Sequence, residues 1–165
     1  MEIMTLQHEL GLQAPFQDIR HETALSIVRT SILFSAKGAQ LFRQFDLTEA
    51  QFNVLFALKF AVEDITQAEL GKRLVVTRAS ITSVLDKLES KNLVVRVNVP
   101  GNRRIHHVQL TEDGAALIEK VEPLYRAEIH QALSDLSDDD CQSLISSLEK
   151  ARHRVLKMQA APSGE

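Results

Sequence analysis

Apolar residues recur at helical spacing in six stretches of this chain and switch to strand alternation between the fourth and the fifth. Leu25, Val28, Ile32, Ala36, Ala39, Phe42 and Phe45 fall near one face, which predicts a long helix over about Phe16 to Phe45. Thr48 and Gln51 have capping-box spacing and open a second helix carrying Phe52, Leu55, Phe56 and Leu58. Thr66 and Glu69 repeat that spacing before a short helix with Ala68, Leu70, Gly71 and Leu74 on its inner face. Val75-Val76 reads as a brief extended link. Thr77 is the N-cap candidate for a fourth helix, in which Ile81, Val84, Leu85 and Leu88 form one stripe. Asn92 stands at its C′ position, where asparagine tolerates positive φ better than other non-glycine residues.

From Leu93 the period changes to two. Leu93 to Val97 and Ile105 to Leu110 are β-branched and alternating, and the turn signal Pro100-Gly101 lies between them. Two strands joined as a hairpin are predicted, with Arg103 and Arg104 near its tip. Thr111 then starts a helix to about Leu133, with Pro123 expected to kink it. Ser137 and the acids Asp138 to Asp140 start a last helix striped with Leu144, Ile145, Leu148, Val155 and Leu156. Met1 to about Ala14 and Ala160 to Glu165 are the expected loose ends.

Helix, turn, helix, then a ribbon with basic residues at its tip is the order of a winged helix-turn-helix. The fold class is mainly α (α+β), with a DNA-binding core over about 47–111 and flanking helices over about 16–45 and 112–158, one domain in all. The outward face of the fourth helix offers Ala79, Thr82, Ser83, Asp86 and Lys87, flanked by Arg78 and Ser80. Small residues permit close approach to base edges, hydroxyls donate or accept there, and arginine reaches guanine or phosphate. On a lone helix such a face would be ordinary solvated surface; placed second in a helix-turn-helix it is weighted toward DNA contact. The paired arginines of the ribbon have the same dull alternative, and the functional one is entry into a narrowed minor groove.

Charge changes the picture further. The 165 residues carry a net charge of −3, which by itself argues against nonspecific nucleic-acid binding. Thr66 to Thr111, however, holds eight basic and three acidic residues, a net +5, so the remainder carries −8. Such segregation suits a basic face on a body that DNA repels elsewhere. No apolar run is long enough for a membrane span, and the start Met1-Glu2-Ile3-Met4 lacks the basic flank of a signal peptide. Tryptophan is absent and Tyr125 is the single tyrosine, so no stacking platform for single-stranded nucleic acid is expected.

The runs Leu47-Thr48-Glu49-Ala50-Gln51-Phe52-Asn53-Val54-Leu55, Gln67-Ala68-Glu69-Leu70-Gly71, Ser80-Ile81-Thr82, Leu88-Glu89-Ser90-Lys91-Asn92-Leu93-Val94, Asn102-Arg103-Arg104 and Leu110-Thr111-Glu112-Asp113-Gly114 resemble, in order and spacing, the MarR family of winged-helix transcriptional regulators. The resemblance covers roughly Ile19 to Leu156. It implies a DNA-contact set of Gln67, Thr77, Arg78, Ala79, Ser80, Thr82, Ser83, Lys87, Arg103 and Arg104. Two positions depart from the pattern. Asn92 stands where the family usually has glycine, and Asn102 where it usually has the aspartate that braces the minor-groove arginine. Asn102 is therefore an uncharged brace, and Arg104 the expected minor-groove residue.

Apolar stripes at both ends of the chain exceed what a compact winged helix buries, which predicts a two-fold homodimer. Two-fold symmetry in turn suits a pseudo-palindromic operator on double-stranded DNA. The resemblance implies the same dimer and a small aromatic or phenolic effector in a cleft beside the dimerisation helices. His21 and Arg29 are the weak candidates to line it, and a plain polar or interface contact is preferred for both. Cys141, the only cysteine, excludes an intramolecular disulfide and fits a reducing cytoplasm. After three acids it is expected in a passive core or interface role. His106 and His107, adjacent on a strand, point to opposite faces and form no chelating pair by themselves, so ordinary surface or wing roles are expected for them. No metal and no cofactor is expected.

Three functions compete. A sequence-specific DNA-binding regulator, a repressor released by a small molecule, is favoured. A winged helix used for protein–protein assembly is second, since folds do not fix functions. An enzyme is third and not expected, because no phosphate-binding glycine loop, nucleophile elbow or metal-spaced His/Glu motif occurs.

Overall fold

A computed structural model of the chain describes residues 4–74, 78–99 and 102–160. By contacts it divides into two compact units, 1–123 and 124–165. The first holds α1 (Leu6–Glu9), α2 (Ile19–Arg43), α3 (Glu49–Lys59), β1 (Ile65–Thr66), α4 (Gln67–Arg73), α5 (Arg78–Ser90), β2 (Val94–Val99) and β3 (Asn102–Leu110). α6 (Glu112–Ala132) begins in this unit, and the second unit holds its remainder and α7 (Asp138–Ala160).

Helix starts follow the caps. Asp18 accepts from the Arg20 amide at 2.9 Å and opens α2, three residues inside the Phe16 start that periodicity predicts. Phe45 lies beyond the end of α2, because the chain turns through Asp46 at φ 53°. Thr48 and Gln51 cap α3 reciprocally, as Thr66 and Glu69 cap α4. Ser137 and Asp140 do the same for α7, at 3.2 and 3.1 Å. Within the stretch expected to be loose, residues 6–9 form one helical turn capped by Thr5. Pro123 lies inside α6, which continues to Ala132. The link Val75-Val76 and the cap candidate Thr77 lie outside the described residues, as do 161–165.

The hairpin is longer than alternation alone predicts. β2 and β3 pair antiparallel from Val94↔Leu110 to Val99↔Asn102, with a register irregularity at Asn98/Val99. Asn102, Arg103 and Arg104, expected in the connecting loop, lie in β3 instead. The ladder extends past the apolar stretch because backbone pairing needs no apolar side chain. β1 was not foreseen. Its two residues pair with β3 through Ile65↔Val108 and Thr66↔His107, giving sheet order β1-β3-β2. Two residues carry no readable alternation, and Thr66 already signals a helix cap.

The core of the first unit forms where α3, α4 and α5 close on the sheet. Leu55, Leu70, Leu85 and Leu88 are fully buried, with Ile65, Val94, Val108, Ile118 and Val121. Phe42 of α2 stacks on Phe52 of α3 with centroids 4.2 Å apart, which ties the end of the long helix to this core. Each such side chain contributes about 1.5–3 kcal/mol by leaving water. The buried carboxylate Glu122 lies 3.5 Å from Lys59 Nζ. The second unit differs: among its described residues none is buried, and Leu144, Ile145, Val155, Leu156 and Met158 are exposed.

Candidate nucleic-acid interface

α5 presents two chemically distinct faces. Ile81, Val84, Leu85 and Leu88 face the core, while Thr82, Ser83, Asp86 and Lys87 are exposed. Arg78, Ala79 and Ser80 form the first turn of this helix; their side chains, and Thr77 altogether, lie outside the described residues. So do the side chains of Asn102, Arg103 and Arg104, whose backbone is placed in β3.

α4 is set at the same surface by its cap. The Glu69 amide donates to Thr66 Oγ1 at 3.2 Å, and the Thr66 amide donates to Glu69 Oε2 at 2.9 Å. The backbone hydrogen bond from Thr66, then the bond from its hydroxyl, holds the Glu69 carboxyl below the usual glutamate range. Lys72 and Arg73, exposed in the last turn of α4, act in the same direction at longer range.

The residue that joins these elements is Arg96 of β2, to which sequence reasoning assigned charge and no role. Its Nη2 donates to Asp86 Oδ1 at 2.7 Å, and its Nη1 pairs with Glu89 Oε2. Its backbone amide donates to Glu89 Oε1 at 3.2 Å, and its Nε donates to Gln67 Oε1 at 3.3 Å. Gln67, the first residue of α4, donates from Nε2 to Thr82 Oγ1 at 2.9 Å. One guanidinium thus fastens the wing strand to α5 and α4. A signal for it did exist. Arg96 shares strand parity with buried Val94, so it points toward α5, and an inward cation needs acids opposite. All three acids of the basic block are engaged within it, Glu69 at a cap and Asp86 and Glu89 on Arg96.

The other expected residues fall elsewhere. Lys87 lines a cavity of about 360 Å³ with Arg43, Asp46, Thr48, Gln51 and Lys91. Lys91 is held there by Asp46 through its carboxylate at 2.8 Å and through its carbonyl oxygen. Neither effector candidate lines this cavity. The Arg29 Nε donates to Glu9 Oε2 at 2.9 Å, and the His21 ring meets Phe16 edge-on at 6.0 Å. His107 faces Asp64 at 3.5 Å, and Cys141 is half-buried in the first turn of α7. No helix among the described residues is long and apolar enough to cross a membrane.

Comparison with known proteins gives concordant results. The model of the MarR family matches residues 45–105, from the turn before α3 into the first half of β3. The transcriptional regulator MhqR of Bacillus subtilis is 33% identical over 104 residues, 63% of this chain and 71% of its own length. A mutant of MarR from E. coli superposes with a TM-score of 0.66 at 29% identity, over 84% of this chain and 98% of that one. BpsR of Bordetella bronchiseptica, whose DNA binding is regulated by 6-hydroxynicotinic acid, superposes with a TM-score of 0.70 at 25% identity, over 84% and 98%.

Proposed function

Because the chain belongs to the MarR family and is a DNA-binding transcriptional regulator, we propose that it acts as a homodimeric repressor in the cytoplasm, reads a pseudo-palindromic operator, and releases it on binding a small aromatic or phenolic acid. The observation that carries the reading is the face of α5, which exposes Thr82 and Ser83 while Ile81, Val84, Leu85 and Leu88 anchor it from behind. Gln67, Thr77, Arg78, Ala79, Ser80, Thr82 and Ser83 form the major-groove contact set, with Lys87 beside it. Arg103 and Arg104 supply the wing contact, with Arg104 in the minor groove and Asn102 its uncharged brace.

The dimer rests on apolar surface that one chain leaves uncovered. Val28 and Ile32 on α2 are each 55% exposed, and the second unit has exposed leucine and valine on α7. A second copy of the chain covers these stripes and spaces two α5 helices for adjacent major grooves, about 34–36 Å apart. Effector release is a population shift, which needs an acid that binds the released arrangement more tightly. Support for an acid ligand comes from BpsR, whose regulator is a hydroxylated aromatic acid.

The test is footprinting on the DNA flanking the gene, with and without a panel of phenolic acids. A protected inverted repeat that an acid releases supports the reading. Binding with no sequence preference at any salt overturns it, since phosphate contacts alone give only nonspecific affinity. Arg104→Ala is expected to weaken binding and reduce the salt slope by about one; an unchanged slope removes Arg104 from the interface.

A further inference from the structure

The bond chain Arg96–Gln67–Thr82 has a direction, and the direction bears on which base edges α5 accepts. A guanidinium has donors and no acceptor, so the Gln67 atom facing Arg96 Nε is the amide oxygen. That assignment leaves the Gln67 NH2 group facing Thr82, 2.9 Å from its hydroxyl oxygen. An amide NH2 donates only, so the Thr82 oxygen accepts and its proton is not spent on Gln67. Arg96 cannot rotate away from this role. Its other nitrogens are fixed on Asp86 at 2.7 Å and on Glu89, and its side chain is 19% exposed. Thr82 itself is exposed on the face of α5 that lies opposite its core stripe.

We propose that Arg96, acting through Gln67, is a positioning residue that makes Thr82 a hydrogen-bond donor toward DNA. A hydroxyl with no such partner donates or accepts as the base requires and discriminates little. With one of its two lone pairs occupied by Gln67 and its proton left free for DNA, Thr82 favours a base that presents an acceptor: N7 of a purine, O6 of guanine or O4 of thymine. It disfavours the exocyclic amino groups of cytosine and adenine at that step. Beyond its own place in the contact set, Gln67 thereby buttresses Thr82. The inference rests on the DNA-binding reading above and adds the polarity of one contact.

The experiment selects bound sequences from a randomised double-stranded DNA library with the full-length protein and four variants, and measures affinities for the selected sites. The wild type is expected to show one base step per half-site where acceptor-presenting bases are enriched. Thr82→Val, which keeps the shape and removes the hydroxyl, is expected to flatten preference at that step by roughly tenfold while other positions persist. Thr82→Ser is expected to retain the preference. Gln67→Glu reverses the chain, because a carboxylate accepts from both Arg96 and the Thr82 proton and turns the hydroxyl lone pairs outward. That variant is expected to shift the same step toward cytosine or adenine amino groups. Arg96→Lys keeps a cation and loses the Nε donor, and is expected to blur the step without inverting it. A purely structural role for Arg96 and Gln67 would lower affinity uniformly and leave base preference untouched. If Thr82→Val and Gln67→Glu both keep the wild-type profile, the proposal is overturned while the regulator reading stands. A wild type with no preference at any position overturns both.

Discussion

Gly114 of α6 lies so close to Leu93 that a Cβ added to it would sit 1.9 Å from the Leu93 carbonyl oxygen. The approach has a purpose. The Leu93 oxygen accepts from the Thr111 amide at 3.2 Å, and the Thr111 hydroxyl donates to the Asn92 carbonyl at 2.6 Å while accepting from the Gly114 amide at 3.0 Å. The start of α6 is thereby pinned to the crossing between α5 and β2. The Leu-Thr-x-x-Gly run, weak as a motif, is the sequence trace of this junction. Gly114→Ala is expected to destabilise the protein by about 2 kcal/mol or more, because the obstacle is backbone and cannot rotate aside. Thermal unfolding should show the midpoint falling by roughly 4–8 °C. An unchanged midpoint would mean that α6 shifts freely against Leu93.

Asn92 occupies the left-handed region at φ 56° and donates from its side chain to Asp113 Oδ2 at 2.8 Å. The departure from glycine is thus compensated by one exposed hydrogen bond. Asn92→Ala keeps the strain and removes the bond, so it is expected to cost about 1–2 kcal/mol. Asn92→Gly removes both and is expected to stay within about 0.5 kcal/mol of wild type. Urea unfolding of the two variants distinguishes them. Equal losses would show that backbone conformation is not the deciding term.

These two positions show what could be read in advance. Caps, apolar stripes and the hairpin were legible because each depends on residues within a few positions of one another. Thr48/Gln51 and Thr66/Glu69 signal their helices locally, and Asn92 signals its own φ. β1 was not legible, since Ile65-Thr66 becomes a strand only because β3 offers it a ladder. Strand parity turns Arg96 toward α5, but which residues it joins was hidden for a related reason. Its partners Gln67, Asp86 and Glu89 come from two other elements, and no local pattern connects a strand arginine to a glutamine 29 residues earlier. The outer face of α5 was readable as polar, whereas the polarity of a single hydroxyl on it required the geometry.

Acid should loosen α4 before it unfolds the core. Glu69 is held below the usual glutamate range by its bonds to Thr66. A carboxylate with a depressed folded value contributes stability above its unfolded value and loses it as pH falls through the folded one. Hydrogen exchange at the first amides of α4, corrected for intrinsic rates, should therefore lose protection at pH below the usual glutamate range. Glu69→Gln keeps a side-chain acceptor for the Thr66 amide and does not titrate, so its protection should be pH-independent over that window. The same loss is expected at the start of α7, where Ser137 holds Asp140 below the usual aspartate range. Protection in the wild type that follows the Glu69→Gln curve would exclude the Glu69 carboxylate as the titrating group.

Dimerisation is the prediction on which operator geometry depends. Val28 and Ile32 stand one turn apart on α2, each 55% exposed, and Leu33 beside them is 49% exposed. Three aliphatic side chains left in water on one helix are each worth about 1.5–3 kcal/mol when covered. Aspartate at both Val28 and Ile32 should forfeit that gain and place four carboxylates across a two-fold interface. Neither residue belongs to the core around Phe52 and Leu85, so the winged helix should still fold, with far-ultraviolet dichroism unchanged. Sedimentation equilibrium at micromolar concentration is expected to give twice the chain mass of 18.5 kDa for the wild type and the single-chain mass for the double variant. Affinity for a full operator should then fall toward that for one half-site. If the double variant sediments as a dimer, α2 is not the interface, and the spacing of the two α5 helices must be set by another surface.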